Sequence, residues 1–302
     1  MTETIGNPFS WAARQLGAGA RRIEGGTAEI AGSDRAPIVI TGLQIADLRI
    51  ALKKGLEDFL ALRTDVIFVV LIYPLIGLAL VGFALNRGML PLLFPMISGF
   101  ALLGPVAAVG LYEMSRRREL GLPTTWADAF GVLGSPSLFP ILTLGVYLFG
   151  IFLAWLLSAN EIYNATLGPA APASVQGFLQ DIFTTPAGRL MAVAGIAVGF
   201  LLACAVLALS LVSFPLLVDR PVGVVRAVMT SFSVARRSPL AAAAWGAVVV
   251  IGLGFGVLTA VVGLMFVLPV LGHASWHLYR RAVAPPMQRA KPQDAYRRGL
   301  RP

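Results

Sequence analysis

Two histidines have the spacing in this sequence that best suits chemistry. His273 and His277, the only histidines of the chain, lie four residues apart in the segment LPVLGHASWHLYR at positions 268–280. This spacing places both imidazole rings on one face of a helix, where they can reach a single metal ion. A third ligand would have to come from Glu113 or Asp219, which requires that helix ends meet. We therefore carry metal binding as one hypothesis, beside plain hydrogen bonding at a membrane interface.

Further polar residues cluster where apolar segments end. One interpretation is a shared polar site at which three helix ends converge. The alternative is ordinary helix-end chemistry, in which Glu113 pairs with Arg116 or Arg117 one turn on, while Trp276 and Tyr279 join an aromatic belt at the membrane surface. The candidate set consists of Tyr112, Glu113, Arg116, Asp219, Arg220, Trp276, Tyr279 and Arg280, together with the two histidines.

The sequence contains no recognisable catalytic machinery. Paired carboxylates at hydrolase spacing, a phosphate-binding loop, G-x-S-x-G and Cys-x-x-Cys-His are all absent. The single cysteine, Cys204, allows neither a disulfide within the chain nor a cysteine-based metal motif. We therefore expect a protein that is not an enzyme and that holds no cofactor.

The composition indicates a protein that crosses a membrane several times. Of the 302 residues, 57% are hydrophobic and only 13% are charged, with a mean hydropathy of +0.79. Soluble domains carry roughly a quarter charged residues. The net charge of +9 fits basic loops on the cytoplasmic side and attraction to anionic lipid headgroups. A nucleic-acid partner is not expected, because the basic residues are not interleaved with stacking aromatics.

We predict that the polar residues are positioned by an all-α bundle of about six transmembrane helices. Five helices are the alternative. Arginine and lysine are concentrated before the first span, at 116–118, at 220–237 and after residue 272. These segments share one side only if 239–272 crosses an even number of times, as a hairpin rather than as one long tilted helix. The predicted spans are 66–85, 89–112, 138–157, 190–218 and a pair within 239–272. The span 190–218 contains a G-x-x-x-G pattern at Gly195 and Gly199, which favours close helix packing.

Amphipathic helices are predicted beside this transmembrane domain of residues 66–282. Residues 41–65 form an interfacial helix whose apolar face carries Ile45, Leu48, Leu52, Leu56, Phe59 and Leu60, and whose polar face carries Asp47, Arg49, Lys53, Lys54, Glu57 and Asp58. A second amphipathic helix is predicted within 220–237. Residues 1–40 are predicted to be a disordered arm, and residues 283–302 a basic disordered tail.

Three stretches resemble a known family: GFALLGPVAAVGLYEMSRRRELG at 99–121, SFPLLVDRPVGVVRAVMTSFSVARRSP at 213–239 and LPVLGHASWHLYR at 268–280. The chain is similar to bacterial integral membrane proteins containing domain of unknown function 2189, some of which are labelled as cytochrome c oxidase subunit I. The resemblance implies a multi-span inner-membrane protein and carries over no catalytic residue. Such an oxidase subunit needs about six histidines on several helices to hold its haems and copper, so this chain cannot be one.

We expect a scaffold or accessory subunit of a membrane complex, with a respiratory complex as one candidate, in the bacterial inner membrane with both termini cytoplasmic. Its expected partners are anionic lipid headgroups and either another membrane protein or a second copy of this chain. One alternative is a metal- or haem-binding protein that uses His273 and His277. The other is a transporter or channel for a neutral or lipid-like solute, with a cavity lined by Ser98, Thr143, Ser210, Ser213 or Thr259.

Overall fold

The structure is a computed structural model that describes residues 26, 28–86, 88–259 and 263–285. The all-α prediction is confirmed: across these residues the chain is helical apart from its connections, with an isolated antiparallel bridge between Ile40 and Val283. The predicted arm and tail lie largely outside the described residues. The helices are α1 (Ile45–Asn86), α2 (Leu93–Ala101), α3 (Gly104–Ala107), α4 (Val109–Glu119), α5 (Leu138–Thr166), α6 (Val175–Thr184), α7 (Pro186–Ser210), α8 (Ser213–Asp219), α9 (Val224–Arg237), α10 (Pro239–Leu258) and α11 (Leu264–Ala282), with 3-10 turns at Leu90–Leu92 and Trp126–Gly134.

The first helix is longer than predicted. The expected interfacial helix at 41–65 and the expected first span at 66–85 form one helix, α1, of 42 residues. At a rise of 1.5 Å per residue this helix is about 63 Å long, roughly twice the hydrocarbon thickness of a bilayer. Its first half therefore extends well beyond the part that a membrane would cover.

The predicted second span, 89–112, is broken into short pieces. Helix α2 ends at Ala101, and the amides of Leu102 and Leu103 bond three residues back, to Gly99 and Phe100, rather than four. Pro105 lies in the first turn of α3. Since proline lacks an amide hydrogen and its ring clashes with the preceding turn, Gly104 and Pro105 start a new helix instead of continuing the old one.

In the part of the chain that the structure describes, three segments are long and apolar enough to cross a membrane, namely Leu138–Thr166, Pro186–Asp219 and Pro239–Leu258. Leu75–Asn86, which is the last part of α1, and Leu90–Ala101 are shorter apolar helical stretches. The segments agree with the third, fourth and fifth predicted spans. The total of six stays a prediction, because α11 carries an apolar run only over its first two turns.

The hairpin predicted within 239–272 is confirmed. Helix α10 ends at Leu258 and α11 begins at Leu264, so the alternative of one long helix is wrong. Gly252 lies against Val267, and Gly256 lies against Leu264. Because later residues of α10 meet earlier residues of α11, the two helices run antiparallel.

The most extensive helix–helix contact among the described residues joins α11 to α1. A Cβ atom placed on Gly55 would lie 2.6 Å from the backbone nitrogen of Ala274, so only glycine permits this approach. A Cβ on Gly272 would likewise lie 2.4 Å from Leu111 on α4. These two glycines bring α1, α4 and α11 close enough for short side chains to bond across them.

Candidate functional site

Three helix ends meet at one end of the bundle. The Tyr279 hydroxyl of α11 donates a hydrogen bond of 2.6 Å to Asp219 at the end of α8. Trp276 Nε1 donates to Glu119 at the end of α4, over 2.9 Å. Arg280 bonds to Glu119 at 2.9 Å and approaches Asp219 at 3.5 Å. We call this region, formed by residues 47–58, 113–119, 219 and 273–281, the polar end.

Not all candidate residues join this shared contact. Glu113 forms a fork with Arg116 on its own helix, at 2.7 and 2.8 Å, as the helix-end alternative predicts. This carboxylate raises the pKa of the Arg116 guanidinium. Tyr112 is buried in the main apolar core. Arg220 turns away and bonds to Asp34 at 2.6 Å.

The aromatic belt expected from Trp276 and Tyr279 is wrong. Each residue is only 1% exposed, and the two rings pack on one another with centroids 5.5 Å apart. Residues of an interfacial belt face lipid headgroups, whereas these two fill the space between α4, α8 and α11. Their polar atoms are satisfied by carboxylates of neighbouring helices.

The histidines bond to two residues that were not among the candidates, Asp58 on α1 and Ser115 on α4. His277 bonds to Asp58, and His273 bonds to Ser115, which in turn bonds to Asp58. His277 Nε2 donates to Asp58 Oδ2 over 2.8 Å. Ser115 Oγ donates to the same oxygen over 2.7 Å and lies 2.7 Å from His273 Nδ1. Arg118 bonds to Asp58 Oδ1. One carboxylate, 4% exposed, therefore joins α1, α4 and α11.

The charge of Asp58 fixes the protons of this cluster. Burial alone would raise the pKa of the Asp58 carboxyl, but hydrogen bonds from His277 and Ser115 outweigh burial and hold this pKa below its ordinary value. An ionised carboxylate only accepts hydrogen bonds, so Ser115 gives its single proton to Asp58. His273 must then donate from Nδ1 to the Ser115 oxygen.

The order of contacts excludes a nucleophilic triad. In such a triad the histidine lies between serine and carboxylate, so that it can take the serine proton. Here Ser115 lies between Asp58 and His273, and its hydroxyl proton is held by the carboxylate. Ser115 and His273 are both 0% exposed, so a substrate in solution has no access to them.

The metal hypothesis gains no third ligand from the residues proposed for it. Glu113 is bonded to Arg116, and Asp219 to Tyr279 and Arg280. Among the residues that the structure describes, no three His, Cys, Asp or Glu side chains are grouped so as to hold a metal ion. His273 and His277 instead share the hydrogen bonds around Asp58.

Four of the five hydroxyl groups proposed to line a solute cavity are bonded to carbonyl oxygens one turn earlier in the chain. Ser98, Ser210, Ser213 and Thr259 each donate to the carbonyl oxygen four residues earlier, at 2.6 to 2.9 Å. Ser98 also accepts from Trp155 Nε1 at 3.1 Å. Thr143 is half-buried on α5. Bonding of this kind satisfies a hydroxyl inside an apolar helix and leaves its proton unavailable to a solute.

The polar face predicted for residues 41–65 is wrong at two of its six positions. Arg49, Lys53, Lys54 and Glu57 are exposed as predicted, but Asp47 and Asp58 are buried. Asp47 and Asp58 lie on the buried side of α1, while the apolar residues Ile45, Leu56 and Leu60 are exposed. Ala51 and Gly55 lie on the same side as the two acids. Small residues between two carboxylates on one helix face allow close contact with a helix that carries cationic side chains. The prediction missed this pattern because it relied on the spacing of the hydrophobic residues.

The chain entering α1 is fixed to the same end of the bundle. Asp47 bonds to Arg281 at 2.6 Å, and the Thr41 amide bonds to the carbonyl oxygen of Ala282 at 3.0 Å. Arg226 donates to the carbonyl oxygens of Asp34 and Ala36. The prediction of disorder therefore fails for residues 33–40, which pack on α9 and α11.

Comparison with known proteins agrees with this fold. Residues 93–219, from α2 through α8, match the model of a family described as predicted integral membrane protein (DUF2189). The match covers the first of the three resembling stretches, 99–121, and the beginning of the second, and there it agrees with the resemblance drawn from the sequence to predicted integral membrane proteins. No curated protein and no solved structure matches the chain.

Proposed function

We propose that this integral membrane protein is a non-catalytic scaffold or accessory subunit of a membrane complex, with its polar end and both termini on the cytoplasmic side of the bacterial inner membrane. The observation that carries the proposal is that the carboxylates of the polar end are bonded within the chain. Asp47, Asp58, Glu113, Glu119 and Asp219 each contact an arginine or histidine of the same protein.

The pairing of these carboxylates within the chain argues for a structural role. A catalytic or transport site keeps some polar groups free to contact its substrate. In the polar end Asp47, Asp58, Glu119 and Asp219 join one helix to another, whereas Glu113 pairs within α4 and His273 Nε2 is buried without a partner. The four joining carboxylates hold α1, α4, α8 and α11 in a fixed arrangement. A rigid end of this kind suits a surface that a partner recognises.

The positive-inside rule supports the proposed orientation. Exposed cations at or beside the polar end include Arg49, Lys53, Lys54, Arg236 and Arg237. At the other end of α7, residues 158–189 carry Arg189 as their one basic residue. The excess of basic residues therefore lies with the polar end.

The outward side of the first half of α1 is the proposed contact surface. Ile45 and Leu60 are each 55% exposed and Leu56 is 46% exposed, and the charged residues Lys53 and Glu57 lie among them. A surface with apolar residues and charges of both signs is typical of a protein interface. The occupant can be another membrane protein or a second copy of this chain.

Cross-linking in native membranes tests the proposal. An amine-reactive cross-linker reaches Lys53 and Lys54, and we expect mass spectrometry to find both joined to one partner. The matched control is Lys53→Arg with Lys54→Arg, which keeps the charge and must lose these cross-links. Leu56→Glu with Leu60→Glu should lose the partner without loss of membrane insertion. Unchanged recovery of the partner with that variant, or no cross-link in the unmodified protein, contradicts the proposal.

A further inference from the structure

Helix α9 has a second apolar face that is largely exposed in the described structure. Its inward side, with Val224, Ala227 and Val234, is buried against the bundle. Val225, Met229 and Phe232 follow one another at helical spacing on the outward side, and they are 72%, 58% and 53% exposed. Apolar side chains at successive turns of one outward face need a covering partner.

The position of α9 in the chain places it beside the membrane surface. It is preceded by the segment Pro186–Asp219 and followed by Pro239–Leu258, both long and apolar enough to span a bilayer. Only four residues separate Asp219 from the start of α9, and only Ser238 separates its end from α10. A helix of about 21 Å that joins two spans so tightly must lie near the surface at which the first span ends and the second begins.

The charge around α9 has one sign. Residues 220–240 contain four arginines and no acidic residue. Three of the four contact the entering chain. Arg220 bonds to Asp34, Arg226 bonds to backbone carbonyls, and Arg237 makes a long bond of 3.4 Å to the carbonyl oxygen of Ile40. Arg236 and Arg237 remain exposed in the last turn, next to Leu240, which is 80% exposed.

We propose that the outward face of α9 is a lipid-docking surface that prefers anionic phospholipid. Val225, Met229 and Phe232 enter the acyl-chain boundary of the leaflet, and Arg236 and Arg237 bind the phosphates of anionic headgroups. The same arrangement of an apolar face and terminal cations anchors interfacial helices to membranes. A protein partner fits less well, because Leu240, in the first turn of the apolar segment Pro239–Leu258 that follows α9, is exposed as well. The inference does not depend on the scaffold function.

Depth measurement tests the apolar part of this surface. In full-length protein carrying Cys204→Ser, a spin label at Met229→Cys is compared with one at Lys54→Cys, in vesicles of phosphatidylglycerol and phosphatidylcholine. We expect oxygen to relax the Met229 label more strongly than a water-soluble nickel chelate does, and the reverse at Lys54. A Met229 label that favours the nickel chelate overturns the proposal. Shielding of Met229 in native membranes but not in the vesicles would assign the face to a protein instead.

Lipid selectivity tests the cationic part. Arg236→Gln with Arg237→Gln is compared with Arg49→Gln with Lys54→Gln, which removes the same charge from the outward side of α1. The ratio of phosphatidylglycerol to phosphatidylcholine retained on the protein is read by native mass spectrometry. Since two surface arginines contribute independently, we expect the α9 variant to lose roughly 30-fold in preference and the α1 variant little. An equal loss in both, a loss in neither, or displacement of the lipid by inorganic phosphate overturns the proposal.

Discussion

The polar end and the outer spanning helices are held together in different ways. At the polar end, side chains of one helix bond to those of another, as Asp58 does to Ser115 and His277. In the segment Pro186–Asp219 only 6% of the most apolar stretch is buried within the chain. Ser210 and Ser213 bond to carbonyl oxygens of that same segment.

This difference in bonding shows which part of the molecule specifies the arrangement of the helices. Lipid is as apolar as a leucine side chain, so burial of apolar surface does not drive helices together inside a bilayer. Bonds that need both partners in place can specify which helices meet and in which register. We therefore expect mutations at the polar end to cost far more than mutations in the lipid-exposed helices.

The largest effect is expected for Asp58→Ala. The change leaves Ser115, His277 and Arg118 without their common acceptor, and removal of one partner from a buried ion pair costs about 3 kcal/mol or more. Glu57→Ala is the matched control, because Glu57 is an exposed neighbour whose pair with Lys53 is 4.0 Å long. Unfolding in mild detergent should separate the two variants clearly. Equal stability would mean that Asp58 does not hold the helices together.

A smaller effect is expected for Gly55→Ala. The new methyl group would lie within 2.7 Å of Ala274 and of the Val270 carbonyl oxygen, so α1 and α11 must move apart. Overpacking of this kind costs about 1–3 kcal/mol. Gly82→Ala in the same helix meets nothing within 4 Å and should be neutral or slightly stabilising. The comparison is read from thermal unfolding midpoints, and a stable Gly55→Ala protein would contradict the close approach.

Acid should weaken the polar end through Asp58. Its pKa is lower in the folded than in the unfolded chain, so ionised Asp58 stabilises the fold above the ordinary aspartate pKa of about 3.9. This contribution is lost as the pH falls through the folded-state pKa. Asp34 and Asp128 also have lowered pKa values, so the measurement is the difference in unfolding midpoint between the wild type and Asp58→Asn. That difference should shrink as the pH falls toward 3, and a constant difference would contradict the assignment.

The smallest effect is expected in the G-x-x-x-G pattern of α7. A Cβ atom placed on Gly199 would lie 3.2 Å from the Trp155 ring. A Cβ atom placed on Gly195 would have no neighbouring atom within 4 Å in the described structure. Gly199→Ala should cost about 1 kcal/mol or less, since the indole can shift slightly. Gly195→Ala should cost nothing in the isolated protein. A loss on Gly195→Ala that appears only in native membranes would show that α7 packs on another chain.

Several features of this fold follow from local chemistry and were predictable. The count of basic residues predicted the hairpin within 239–272, because a charged tail does not cross lipid. The apolar content predicted the spans of α5, α7 and α10. Gly104 and Pro105 signalled an interruption, although not the division of 89–112 into four helical pieces.

The polar end shows where prediction from the sequence stops. The sequence determined that this chain is a helical membrane protein, and it selected most residues of the converging helix ends, because hydropathy and charge act residue by residue. Only the tertiary structure decided that Asp58 faces inward and that His273 reaches it through Ser115. A buried carboxylate and a solvated one look alike in a sequence, since their difference lies in partners that are 57 and 219 residues away along the chain.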